Sequence, residues 1–232
     1  NFFTWREAFI FVGAPGVVIG IIVLFAIKEP PRGYSDPPNA SHKETLPFGK
    51  ALKEIFSKPT FWIMSAGATI AAFAGYALIG FQPLYIQYVK GISTGDTALL
   101  YMAPIAVAGS VGAFLGGWLT EMASKKSATA ICWVPGVAHL ICAPIYAFSF
   151  LIGGLMPMLI MMMVGAALQY FYLGSQYNIA QSVVSVRARA TSVAVLLFIV
   201  NLIGYGAGPP FFGLLADMFT NNFFAASDLA GL

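Results

Sequence analysis

Charge is what this sequence has least of. Only 9% of its 232 residues are Asp, Glu, Lys or Arg, against 59% hydrophobic, and the mean hydropathy is +0.80. A soluble domain carries about 25% charged residues. With so few, polar groups cannot cover a water-facing surface, so the chain reads as an integral membrane protein. Cysteine is nearly absent too. Cys132 and Cys142 are the only two; ten residues apart on a helix they are separated by roughly 15 Å, beyond disulfide reach. They read as small buried apolar residues and say nothing of redox compartment. Soluble-enzyme motifs are missing: there is no phosphate loop, HExxH, CxxC or dinucleotide fingerprint. Strand alternation is missing, which argues strongly against a β-barrel. No basic segment with a short apolar core and cleavage site opens the chain, so no signal peptide is read. Asn1 stands where a start methionine is expected, so the chain reads as beginning within a longer protein.

What is present is long apolar runs. Six of them, roughly Ala8–Ile27, Phe61–Val89, Thr97–Thr120, Ala128–Leu151, Leu155–Val183 and Ala190–Ala216, have about the 20 residues of a spanning helix. The fold class expected is therefore an all-α membrane protein with six transmembrane helices. The basic residues support this count. Alternating loops place Lys28, Arg32, Lys43, Lys50, Lys53, Lys58, Lys125, Lys126, Arg187 and Arg189 on one side and only Arg6 and Lys90 on the other. Positive residues stay in the cytoplasm, so the first side is inside.

The segment 28–59 is much longer than the other loops and opens with Glu29-Pro30-Pro31-Arg32-Gly33, which is loop chemistry. Its end, Phe48–Lys58, sets Phe48, Leu52, Ile55 and Phe56 on one helical face and Lys50, Lys53, Glu54 and Lys58 on the other. This predicts a short helix on the cytoplasmic lipid surface, or one packed only on protein.

The sixth run, Arg187–Asp217, organises the rest. It begins with Arg187 and Arg189, is interrupted by Asn201 and then broken by Gly204, Gly206, Gly208, Pro209 and Pro210. Glycine and proline free backbone groups that must be re-satisfied by neighbours or water, so the cluster predicts either a moving gate or close helix packing. The fifth run is the most polar. Gln169, Tyr172 and Gln176 fall at i, i+3 and i+7, within about 60° on a continuous helix, with Gly165 on the same arc. In the second run Gln82 and Tyr85 share a face, Tyr76 lies elsewhere, and Pro83 predicts a kink near the outer end. These side chains, with Asn201, are the expected substrate-cavity wall; the alternative is hydrogen bonding between helices.

His139 is the one ionisable side chain in the middle of a run. A neutral histidine bonded to a neighbouring helix is the reading preferred here. Gly174-Ser175 with a distant His139 loosely suggests an intramembrane serine protease, but one serine after one glycine is common by chance. Glu121 ends the third run beside Lys125 and Lys126, where an acid among basic residues can form ion pairs in one conformation and break them in another; ordinary interfacial anchoring is the alternative.

Together these features resemble the major facilitator superfamily, and within it the spinster-like branch. The resemblance rests on Trp5-Arg6-Glu7-Ala8-Phe9 with Gly13-Ala14-Pro15-Gly16, on Glu29-Pro30 and Arg32-Gly33, on Gly117 through Lys126, and on Arg189-Ala190, Asn201-Leu202-Ile203-Gly204, Gly208-Pro209, Gly213 and Asp217. The loop motif departs from the family's pattern: Glu121 replaces an aspartate, Met122 a basic residue and Ser124 a glycine. The resemblance implies helices six to eleven of a twelve-helix fold. Residues 1–27 would be the last helix of the N-terminal bundle, 28–59 a cytoplasmic central linker, and 60–232 the C-terminal bundle lacking its last helix. It implies that the second and fifth spans line a cavity, that the third and sixth are gate helices, and that the first and fourth are supports. Glu121, Lys125, Arg187, Arg189, Gly204, Gly208 and Pro209 are the expected gating residues.

The function expected is secondary transport of a small organic or amphipathic solute, a lysolipid among the candidates, by alternating access with proton or gradient coupling. A polytopic enzyme acting on lipid through His139 or Glu121, and a non-transporting receptor of the same fold, are the alternatives. No catalytic residue, metal or cofactor is assigned. The expected partners are a small-molecule or lipid substrate and membrane lipids, without nucleic acid, in a monomer of the plasma (inner) membrane.

Overall fold

A computed structural model describes residues 5–26 and 46–223, with side chains described between Arg6 and Met218 of these except at Ala8 and Val12. The proline-rich part of the linker, with Lys28, Arg32 and Lys43, lies outside the described residues, as does the segment after Phe223. Among the described residues all regular structure is helical, and six helices are long and apolar enough to cross a membrane.

The first span, Trp5–Ala26, is one continuous helix with Pro15 inside it and forms a unit of its own. The other five spans and the linker helix form the second unit. The spans are Pro59–Tyr88, Thr94–Ser124, Ala130–Leu151, Leu155–Ser182 and Val186–Met218. Each matches its apolar run to within a few residues, because burying a continuous apolar stretch away from water requires every backbone group to be bonded within the helix.

The ends follow local chemistry. Pro59 opens the second span at its first turn, where a missing N–H costs nothing. Gly91 turns the chain between the second and third spans at φ 68°, a conformation that a side chain resists. Ser93 then caps the third span, its Oγ accepting from the Asp96 amide at 3.2 Å.

Three of the long spans are irregular inside. The third has a π-helical turn at Thr97–Met102. The sixth has one at Asn201–Tyr205, between α-helical Arg189–Val200 and Gly206–Phe223. The expected break in the sixth span is thus a π-turn beginning at Asn201, and the helix continues through Pro209 and Pro210. The fifth breaks at Tyr170–Phe171, between Leu155–Gln169 and Tyr172–Ser182. That break was not expected, and it corrects the continuous polar arc. Pro83 lies inside an uninterrupted helix.

Two apolar cores hold the five-span unit. One, at the linker end, joins Phe61 and Ala68 of the second span, Ala180 and Val184 of the fifth, and Leu196 and Val200 of the sixth. The other, at the opposite end, joins Ile86, Tyr101, Ile105, Met158 and Met162. Elsewhere large apolar side chains point outward, as Ile63, Phe114, Leu140 and Phe198 do. That arrangement suits lipid and not water.

The linker helix, Phe48–Phe56, belongs to the first core through Ala51 and Ile55. Its expected apolar face divides: Ile55 is buried in protein, while Phe48 is 67% exposed and Phe56 stacks on Trp62 with ring centroids 5.2 Å apart.

Candidate functional site

The five-span unit places the predicted polar residues in three settings. The first is a cavity of about 370 Å³ among the second, third, fourth and fifth spans. Gln82 and Gln169 line it together with Gly75, Pro83, Tyr146 and Tyr170. Both glutamines are buried. The Gln169 amide nitrogen donates to the Ala71 carbonyl at 2.9 Å, and its oxygen accepts from the Cys142 thiol at 3.6 Å. Gly75 makes that reach possible: a Cβ there would stand 3.0 Å from Gln169 Nε2. Gln169 therefore ties the fifth span to the second and fourth. Gln82 is buried in the cavity wall beside the Tyr146 hydroxyl. Tyr85 lies nearer the span's end, where its hydroxyl donates to the Phe150 carbonyl at 2.8 Å and its ring meets Phe150 edge-on at 5.0 Å.

The second setting is a cavity of about 480 Å³ among the second, fourth and fifth spans, toward the linker end. Tyr172, Ser175 and Gln176 line it from the fifth span and His139 from the fourth. Breaking the helix at Tyr170–Phe171 separates Gln169, which faces the first cavity, from Tyr172 and Gln176, which face this one. His139 bonds within its own helix: Nδ1 lies 3.0 Å from the Pro135 carbonyl, and its ring meets Tyr172 edge-on at 5.5 Å. The expected partner on a neighbouring helix is replaced by this local one. Ser175 and His139 share the cavity without a hydrogen bond between them, so the residues of the serine-protease reading do not form a dyad.

The third setting is an open face. The Tyr76 hydroxyl donates to Asn201 Oδ1 at 2.8 Å, Asn201 Nδ2 donates to the Leu197 carbonyl at 2.8 Å, and Tyr205 meets Tyr76 edge-on at 5.1 Å. Asn201 opens the π-turn, so its amide supports backbone at the point where regular helical pairing lapses.

The predicted gating residues are distributed. Gly204 and Gly208 press on the second span: a Cβ on the first would stand 3.0 Å from Ala72 Cβ, and on the second 2.9 Å from the Phe73 carbonyl oxygen. Pro209 follows in the same helix, beside which Phe211 and Phe212 pack against Phe73. Glu121 and Lys125 pair at 3.8 Å across one turn, both strongly exposed. Arg187 and Arg189 lie exposed at the start of the sixth span.

Two contacts are missed by the linear reading. Gly112 and Gly116 of the third span face the backbone of the fifth at Ala167 and Phe171, at the break itself. Their spacing, with Gly109, marks one helix face, and that was the signal available. The second contact is Glu54 of the linker helix, which accepts from the Ser185 amide at 2.6 Å and its hydroxyl at 3.0 Å, capping the sixth span from outside. Cys132 is exposed, unlike the buried thiol expected, and lines the second cavity; Cys142 is buried and donates to the Gly165 carbonyl at 3.3 Å.

A bundle of irregular membrane helices with amides turned into internal cavities is the architecture of a solute carrier. Residues 1–209 match the Major Facilitator Superfamily, and the chain belongs to that superfamily. Among solved structures it is similar to a bacterial homologue of the human lysosomal transporter spinster, in an inward-facing and unoccupied conformation. Identity there is 41%, the TM-score is 0.77, and the match covers 98% of this chain and 47% of that one. Among characterised proteins it is 25% identical to an MFS-type efflux pump of Mycolicibacterium smegmatis, over 94% of this chain and 49% of the pump. It is 24% identical to a sphingosine-1-phosphate transporter of Danio rerio, over 87% of this chain and 43% of that protein. The chain spans about half the length of the relatives it matches, and its six spans correspond to helices six to eleven of the twelve-helix fold.

Proposed function

We propose that this chain supplies helices six to eleven of a secondary transporter that moves a small organic or amphipathic solute, of lysolipid type, by alternating access driven by a proton or other gradient. The observation that carries the reading is a pair of buried amides, Gln82 and Gln169, on the wall of one cavity. Amides inside a bilayer need polar partners, and a cavity that two of them line suits a solute with a polar group. The relative named as a sphingosine-1-phosphate transporter supports a single-chain lipid as solute, and the relatives named as transporters support a carrier rather than an enzyme.

In this reading residues 1–27 end the first bundle, 28–59 form a cytoplasmic linker, and 60–232 belong to the second bundle, in a plasma-membrane monomer. Tyr76, Gln82, Tyr85, Gln169, Tyr172, Gln176 and Asn201 contact solute in turn. Gly204, Gly208 and Pro209 let the sixth span slide on the second, while Glu121, Lys125, Arg187 and Arg189 close the inner mouth.

The test is uptake of a labelled lysolipid into proteoliposomes holding the full-length protein, with and without an imposed proton gradient. Uptake that follows the gradient and falls at least tenfold in Gln82→Leu supports the proposal. A folded protein that moves no solute under any gradient overturns it.

A further inference from the structure

Ala51, Glu54 and Ile55 of the linker helix fall at i, i+3 and i+4, on one face. That face is turned into protein. Ala51 is 1% exposed and Ile55 0%, in the core shared by Phe61 and Ala68 of the second span, Ala180 and Val184 at the end of the fifth, and Ala188 and Leu196 of the sixth. Between them, Glu54 directs both carboxylate oxygens at Ser185: Oε1 accepts from its amide at 2.6 Å and Oε2 from its hydroxyl at 3.0 Å. Ser185 lies in the turn between the fifth and sixth spans and leads the tight helical turn Val186–Ala188. The same two spans are tied again where the buried Ser192 hydroxyl donates to the Ala180 carbonyl at 2.7 Å. At its other end the linker helix runs into the second span with only Ser57 and Lys58 between them. The Trp62 indole N–H donates back across that joint to the Phe56 carbonyl at 3.0 Å.

We infer that the linker helix is a fixed part of the five-span unit, an anchor that holds the linker-side ends of the second, fifth and sixth spans together throughout the transport cycle, and not a latch that opens during it. Releasing it would return an isoleucine and an alanine to water and part the Glu54 carboxylate from both its donors. A nine-residue helix left alone in water is barely stable. These contacts are all internal to the chain, so they do not depend on what covers its outer surface. The ties to the sixth span lie before the π-turn at Asn201, so the anchor places no restraint on the glycines beyond it. That the anchor holds through a cycle rests on the transport reading; that the helix is docked does not.

Amide hydrogen exchange of the full-length protein in proteoliposomes reads the docking. A helix undocked for a tenth of the time shows at most about tenfold protection. The amides of residues 52–57 should be protected at least about a hundredfold, both at rest and while a gradient drives lysolipid uptake. Protection of about tenfold or less in either state would overturn the inference. Uptake reads the cycle. Glu54→Cys with Ser185→Cys, in a background without other cysteines, is joined by a short bis-methanethiosulfonate bridge that a reductant removes. The bridged protein should take up labelled lysolipid within about twofold of the same protein after reduction. Uptake that falls at least about tenfold on bridging and returns on reduction would overturn the anchor and make the helix a latch. Where the paired substitutions alone abolish uptake, exchange in the wild-type protein decides. A wild type that moves no solute overturns the transport reading, and docking is then judged by its exchange at rest.

Discussion

Alanine at Gly116 and alanine at Gly117 should have opposite effects, although the two residues are neighbours on one helix. At Gly117 a new Cβ meets nothing within 4 Å, whereas at Gly116 it would stand 2.5 Å from Phe171 Cα and 2.8 and 2.9 Å from that residue's side-chain carbons. Carbon atoms rest about 3.5–4.0 Å apart, so the third and fifth spans must separate by about 1 Å, enough to forfeit up to about half of each contact's dispersion along the crossing. Overpacking of this kind costs about 1–3 kcal/mol. Both substitutions share the gain of up to about 1 kcal/mol from replacing glycine inside a helix, so the difference between them isolates the crossing. Thermal unfolding of the two full-length variants in detergent should place Gly116→Ala about 1–3 kcal/mol below Gly117→Ala. Gly112→Ala should fall at least as far, because its Cβ would meet the Ala167 backbone. If Gly116→Ala and Gly117→Ala unfold alike, the third and fifth spans do not cross where the structure puts them.

Glu54→Ala removes both bonds to Ser185. It should cost about 1 kcal/mol, as loss of a helix cap does, and speed amide exchange at Ser185–Arg189; unchanged exchange there would show that the linker helix does not hold the sixth span. Tyr76→Phe leaves the Asn201 bond to Leu197 in place and should lower stability by about 0.5–1.5 kcal/mol while raising the KM for uptake; unaltered uptake would take the Tyr76 hydroxyl out of the solute path. Glu121→Gln breaks only an exposed pair. It should change stability by less than about 0.5 kcal/mol yet alter the uptake rate, and a rate equal to wild type would leave Glu121 as an anchor rather than a gate.

The spans were legible because a bilayer imposes one simple demand, a long apolar run with few charges, and each run marks its span to within a few residues. The irregularities inside them were legible only where the sequence carries the cause locally. Asn201 and the glycines after it announced a disturbance, and the π-turn begins at Asn201. Nothing near Tyr170–Phe171 breaks a helix; the disturbance lies opposite Gly112 and Gly116, about 55 residues earlier in the chain, and no reading of a single stretch finds it. The candidate site divides in the same way. Gln169, Tyr172 and Gln176 were found because amides in an apolar run are conspicuous, but their assignment to one wall assumed an unbroken helix. His139 was read as bonded to another helix, yet the carbonyl one turn back was within reach. Ser175 carried only a chance pairing with His139 as its signal, and its place beside that histidine and Gln176 is a product of packing.

Alternating access is most directly tested at Tyr205, which is exposed on the open face and edge-on to Tyr76. Tyr205→Cys, in full-length protein with Cys132 and Cys142 replaced by serine, can be probed in sealed vesicles with a membrane-impermeant thiol reagent applied to either side. The account predicts labelling from one side at a time, with the accessible side reversing when the driving gradient is reversed and labelling slowed by transported lysolipid. A thiol that reacts from both sides at once, or from neither, would contradict it.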